Sequence, residues 1–80
     1  STQSVTGRLA TLLLVRSHGA TDRPFSLGMT QAAAAEELGT VREVLVRAIA
    51  SLRREGLIAP AGRGQFVIRN VEALRRRASE

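Results

Sequence analysis

The sequence predicts a mainly α fold with one small β-hairpin, and three observations carry that prediction. First, Val41, Val44, Leu45, Ala48, Ile49 and Leu52 repeat at i, i+3, i+4, i+7, i+8 and i+11, the apolar stripe of an amphipathic helix. Second, two β-prone runs, Leu57-Ile58-Ala59 and Gln65-Phe66-Val67-Ile68, are joined by Pro60-Ala61-Gly62-Arg63-Gly64, a glycine-containing connection of hairpin length. Third, 80 residues make one domain, and a composition that is 44% hydrophobic with Phe25 and Phe66 as its only aromatics leaves the core to Leu, Ile, Val and Ala. A chain of this size buries about 60% of its unfolded surface, so one core of short, closely packed helices is its limit.

The elements follow in order. Ser4 caps a first helix over residues 4–18 whose Val5, Leu9, Leu12 and Leu13 fall at helical spacing, with Gly19 as its stop. Gly19 to Met29 carries the glycines, Asp and Pro of a loop, with Phe25 to Leu27 as a candidate short strand. Thr30 caps an alanine-rich second helix over 30–38 that Gly39 ends, and the small Ala34 and Ala35 allow another helix to approach closely. After the turn Gly39-Thr40-Val41, Thr40 and Glu43 have capping-box spacing at the start of a third helix over 41–55, which Gly56 closes. The hairpin spans 57–69. Asn70 then caps a last helix over 71–78, anchored by Leu74 and carrying Arg75, Arg76 and Arg77 on its exposed side.

A helix pair joined by a glycine turn and followed by a hairpin is the winged helix-turn-helix plan, in which the second motif helix enters the major groove of double-stranded DNA. The composition agrees with a polyanionic partner: the formal charge is +5, and all twelve basic residues are arginine. On the outer face near the start of the third helix, Arg42 and Arg47 can each donate two hydrogen bonds to guanine, Glu43 can accept from cytosine N4, and Val46 can touch a thymine methyl. A purely structural role is available too, with Glu43 completing the cap and the arginines solvated. Arg42 weighs against it, because a cation in the first turn opposes the helix dipole by some 0.3–1 kcal/mol and gains only from an anionic partner.

The run Gly39-Thr40-Val41-Arg42-Glu43-Val44-Leu45-Val46-Arg47, within Thr30 to Ile68, resembles the C-terminal DNA-binding domain of the cyclic-AMP receptor protein (Crp/Fnr) family of bacterial transcription regulators. Ser4 to Ala10 looks like the start of the helix that follows that family's interdomain hinge, and Gly62-Arg63-Gly64 with Phe66 to Arg69 looks like its wing. The resemblance implies that Arg42, Glu43 and Arg47 read bases in a half-site containing G·C pairs, and that Thr6, Gln31, Gly62 and Arg63 meet phosphates. Where the family usually has a serine, this chain has Val41, and Glu37 replaces a commonly apolar residue. Residues 18–26 fall where some members touch RNA polymerase, although this sequence departs from them there and reads as an ordinary surface loop. Family members also carry an effector-binding domain and a dimerisation helix. The expectation is therefore a fragment of a larger, homodimeric cytoplasmic regulator, itself monomeric, with any effector bound outside these residues and no cofactor within them.

Other functions have less in the sequence to support them. With no cysteine and one histidine, His18, disulfides and thiolate metal sites are excluded and no metal constellation is visible. No nucleophile–base pair or phosphate-binding glycine loop points to an enzyme. The longest apolar run, Leu12 to Val15, is far short of the ~20 residues a membrane span needs. Two alternatives remain: another class of winged-helix regulator, and a winged helix that uses its arginines to bind an acidic protein partner.

Overall fold

Four helices and a three-stranded antiparallel sheet follow one another in the computed structural model, which describes residues 3–80: α1 Val5–Ser17, β1 Phe25–Ser26, α2 Gln31–Glu37, α3 Arg42–Arg54, β2 Ile58–Gly62, β3 Gln65–Ile68 and α4 Val71–Ala78. The fold is mainly α with a small wing. Leu9, Ala10 and Leu13 of α1, Ala34 and Ala35 of α2 with Leu38 at its C-cap, and Leu45, Ala48, Ile49 and Leu52 of α3 are buried together, and Leu27, Leu57, Ile58, Ile68 and Leu74 close the core from the loop, the sheet and α4. Neither phenylalanine is fully buried. They pair instead across β1 and β3, with ring centroids 6.3 Å apart.

Side-chain caps set the helix starts. Ser4 accepts from the Gly7 amide, Thr30 from Ala33 and Asn70 from Ala73, at 2.9, 3.1 and 3.0 Å. Left-handed residues set most of the ends. After α2, the Gly39 and Thr40 amides bond back to the Glu36 and Ala35 carbonyls, and after α3 the Gly56 and Leu57 amides bond to Arg53 and Leu52. Gly39 and Gly56 supply the positive φ these closures require.

Four expectations are corrected. Thr40 does not cap α3: it lies in the turn that closes α2, its amide bonded to the Ala35 carbonyl, and α3 starts one residue later with Val41 as an N-cap that makes no side-chain hydrogen bond. Val41 therefore leaves the apolar stripe and is 59% exposed. The stop of α1 is His18, itself left-handed at φ 56°, with Gly19 following as the second closing amide. Finally, Pro60-Ala61-Gly62 belongs to strand β2 and not to the turn, which shrinks to Arg63-Gly64. The extra residue is absorbed by a bulge between Pro60 and Gly62, and Pro60 is tolerated because the strand order β1-β3-β2 leaves β2 at the edge.

The two ends of the chain meet at Gly7, where α1 crosses α4. A Cβ built there would lie 2.9 Å from the Glu80 carbonyl oxygen and 3.1 Å from that of Arg77. Gly7→Ala should gain helix propensity but overpack this crossing, for a net loss of about 1 kcal/mol. A thermal melt would read that as a midpoint roughly 4–8 °C lower.

Arg77 of α4 also donates to Glu55, the C-cap residue of α3, and to Glu80 at 2.9 Å. The Arg77 hydrogen bond holds the Glu55 carboxyl below its ordinary value of 4.5, so this contact adds stability above pH 4.5 that is lost as the pH falls through the depressed value. Glu55→Gln should flatten that acid limb while costing no more than about 1 kcal/mol at pH 7, since the pair is partly exposed; urea titrations at pH 3 to 7 measure both.

Candidate nucleic-acid interface

Burying Leu45, Ala48, Ile49 and Leu52 turns the opposite face of α3 outward. Arg42, Glu43, Val46 and Arg47 are all exposed on it, and together with Val41 they line one shallow concavity around the first half of the helix. A helix with its side chains is about 10–12 Å across, close to the ~12 Å width of the major groove of B-DNA.

A second cleft adjoins the first through Arg42. It is bounded by Leu27, Met29, Thr30, Gln31 and Ala32 on one side and by Gly64 and Phe66 of the wing on the other. The first turn of α2, the N-terminal end of α3 and the hairpin thus face a common space. The β1 pairing holds them there: Phe25 opposite Phe66 and Ser26 opposite Gln65 tie the loop before α2 to the wing strand.

The structure distributes the sequence-predicted residues unevenly. Arg42, Glu43, Val46 and Arg47 share the α3 concavity, and Gln31, half-buried, shares the cleft with Arg42. Gly62 and Arg63 are exposed at the wing tip, where Gly64, rather than either of them, lines the cleft. Thr6, half-buried in the first turn of α1, lines neither. Sequence reasoning missed Val41, Thr30, Met29 and Gly64. Val41 stands in both the turn and the apolar periodicity, and the sequence marks it only as a departure from the family's serine; the structure places it outside the helix, as the N-cap of α3.

The electrostatics favour an anion. Among the described residues the ion pairs engage only Arg69, with Asp22, and Arg77, with Glu55 and Glu80. Arg42, Arg47 and Arg63 enter none of them. Glu43 in the first turn favours the α3 dipole, whereas Arg42 opposes it. A valine N-cap in place of Ser, Thr, Asp or Asn also forgoes about 1 kcal/mol. Arg8 steadies the motif from behind, its Nε donating at 3.0 Å to the Leu38 carbonyl at the end of α2, where a cation suits the helix dipole. No group of three or more His, Cys, Asp or Glu among the described residues could hold a metal ion, and no helix of the structure is long and apolar enough to cross a membrane.

Residues 7–77 match the Crp-like helix-turn-helix domain family. The chain is similar in structure to FixK2 from Bradyrhizobium japonicum, with a TM-score of 0.81 and 28% identity over 91% of this chain and 37% of that one. It is also similar to TTHB099, a CRP-family transcriptional regulator from Thermus thermophilus, with a TM-score of 0.75 and 27% identity over 99% of this chain and 42% of that one. The reduced CO-sensing protein from R. rubrum shares the fold at a TM-score of 0.75 and 23% identity, over 95% of this chain and 38% of its own. The chain thus spans about two fifths of the length of each. No curated protein sequence matches it.

Proposed function

The chain belongs to the Crp-like helix-turn-helix domain family, and from that membership we propose that it is the DNA-binding domain of a transcription regulator in which α3 reads a G·C-containing half-site in the major groove. The observation that carries this reading is the outward face of α3, where two arginines outside every ion pair of the described residues, a glutamate and a valine share one concavity. Arg42 and Arg47 donate to guanine O6 and N7, Glu43 accepts from cytosine N4, and Val46 meets a thymine methyl. Gln31, Thr6, Gly62 and Arg63 contact phosphates on either side, fixing register without reading sequence. An enzymatic role has no support in this family, whose domain serves transcription regulation.

The intact regulator acts as a homodimer on a two-fold operator with half-sites about one helical turn apart, and the 80-residue chain alone binds one half-site weakly. An effector domain completes the proposal by analogy with the family, while residues 18–26, which depart from the members that touch RNA polymerase, form an ordinary surface loop running into β1.

Selection from a random duplex pool at low salt should recover a short G·C-containing motif with the wild-type chain. Arg42→Ala should lose a G·C pair from that motif, and Arg47→Ala should relax preference at one base pair, at a cost of about 1–3 kcal/mol for the cognate duplex. A folded wild-type chain that enriches no motif would favour unspecific DNA binding or the acidic-protein alternative, whereas an unchanged motif with Arg47→Ala would overturn the groove assignment of α3 and leave DNA binding standing. Arg63→Ala should instead weaken binding to all duplexes and reduce the slope of log K against log salt by about 0.9, the value of one phosphate contact.

A further inference from the structure

Among the described residues three large apolar side chains stand well into solvent: Val15, Val41 and Val46. Two of them lie on the α3 concavity, Val41 at 59% and Val46 at 43% exposure, flanking Arg42, Glu43 and Arg47. Val41 breaks two local rules at once. It occupies an N-cap with an extended backbone (φ −111°, ψ 158°) where Ser4, Thr30 and Asn70 each supply a side-chain cap to their own helices, and it gains no burial in return. A β-branched apolar side chain at that position therefore has no folding role that a serine would not perform better.

Resting on the DNA reading above, we infer that Val41 is itself a specificity-determining residue, which packs on the 5-methyl group of a thymine beside the base pair met by Arg42. The chemistry is selective. The valine side chain offers no hydrogen bond to a phosphate, and the thymine methyl is the apolar group that base edges display in the major groove. With Val46 it gives α3 two apolar readers around its three charged ones. The half-site then holds two thymines at fixed offsets from the G·C pairs, one for each valine.

The test replaces each thymine of the selected duplex by uracil, which removes the methyl and leaves every hydrogen-bonding edge intact. Fluorescence anisotropy at low salt should show wild type losing about three- to fourfold in affinity at two thymines, the factor expected for one buried methyl. Val41→Ser should abolish the loss at one of them, Val41→Thr should keep part of it through its remaining methyl, and Val46→Ala should abolish the loss at the other. All three variants should retain the G·C preference, and a thermal melt should show Val41→Ser no less stable than wild type because it supplies the missing cap. Equal wild-type affinity for thymine and uracil at every position, with the G·C preference intact, would overturn the inference and leave the DNA reading standing. So would a Val41→Ser chain that tightens on all duplexes alike and keeps the methyl effect, which is the behaviour of a phosphate contact. If wild type selects no duplex at all, the DNA reading fails before any uracil is introduced, and the inference fails with it.

Discussion

The close approach of α2 to α3 sets the position of everything that faces outward. Ala34 and Ala35 are buried, and because neither extends beyond a methyl, the core side chains of α3 can settle against the α2 backbone. Leu45 and Leu52 are fully buried in the core that α3 shares with α1 and α2, and they fix the rotation of α3 about its axis. A larger side chain on α2 would push α3 away and turn its charged face at the same time. The left-handed Gly39 completes the constraint, since it closes α2 and redirects the chain within a few residues. A core with no buried aromatic has few other ways to hold an angle between two helices.

The wing is positioned by a different device. A hairpin alone is marginal in water, and this one gains a third strand from the loop before α2, so that Phe25 and Phe66 pack directly across the sheet. The Asp22 amide, donating to the Ile68 carbonyl at 2.8 Å, ties the far end of the same loop to β3. The loop thus links the wing to the start of α2, which is why Gly64 and Gln31 line one cleft although they are distant in sequence. At the opposite end, the Glu55–Arg77 contact ties the end of α3 to α4.

Much of this was legible from residue order. Helix periodicity located α3 because its apolar residues repeat without interruption, and Ser4, Thr30 and Asn70 announced three caps through their chemistry alone. The third strand, β1, was visible only as a short β-prone stretch, since so short a strand gives no periodicity and its pairing depends on β3, far along the chain. The start of α3 was misplaced for a physical reason: Thr40 has the chemistry of a cap, but the turn that closes α2 extends through it and leaves Val41 at the N-cap position, which no local pattern reveals. The same slip assigned Val41 to the core. For the site, charge and helix position identified Arg42, Glu43, Val46 and Arg47 as one group, whereas the cleft that joins Gln31, Arg42 and Gly64 is a product of tertiary packing. Thr6 and Gly62 rested on resemblance, and the geometry draws neither into the two concavities.

Natural sequences tend to agree with their folds at every level, and disagreement concentrates where function asks for it. Here the disagreements gather at one place. Three of the four helices begin with a hydrogen-bonding cap; α3 alone begins with an exposed valine, and its next residue is a cation set against the helix dipole. Each departure costs about 1 kcal/mol or less, amounts that would be easy to recover by a single substitution, such as serine in place of Val41. Both lie at the helix end that meets base edges first in a helix-turn-helix. On the DNA reading proposed above, an anionic groove that displays thymine methyl groups would reverse both penalties, turning the misplaced arginine into a donor and the uncapped valine into an apolar contact.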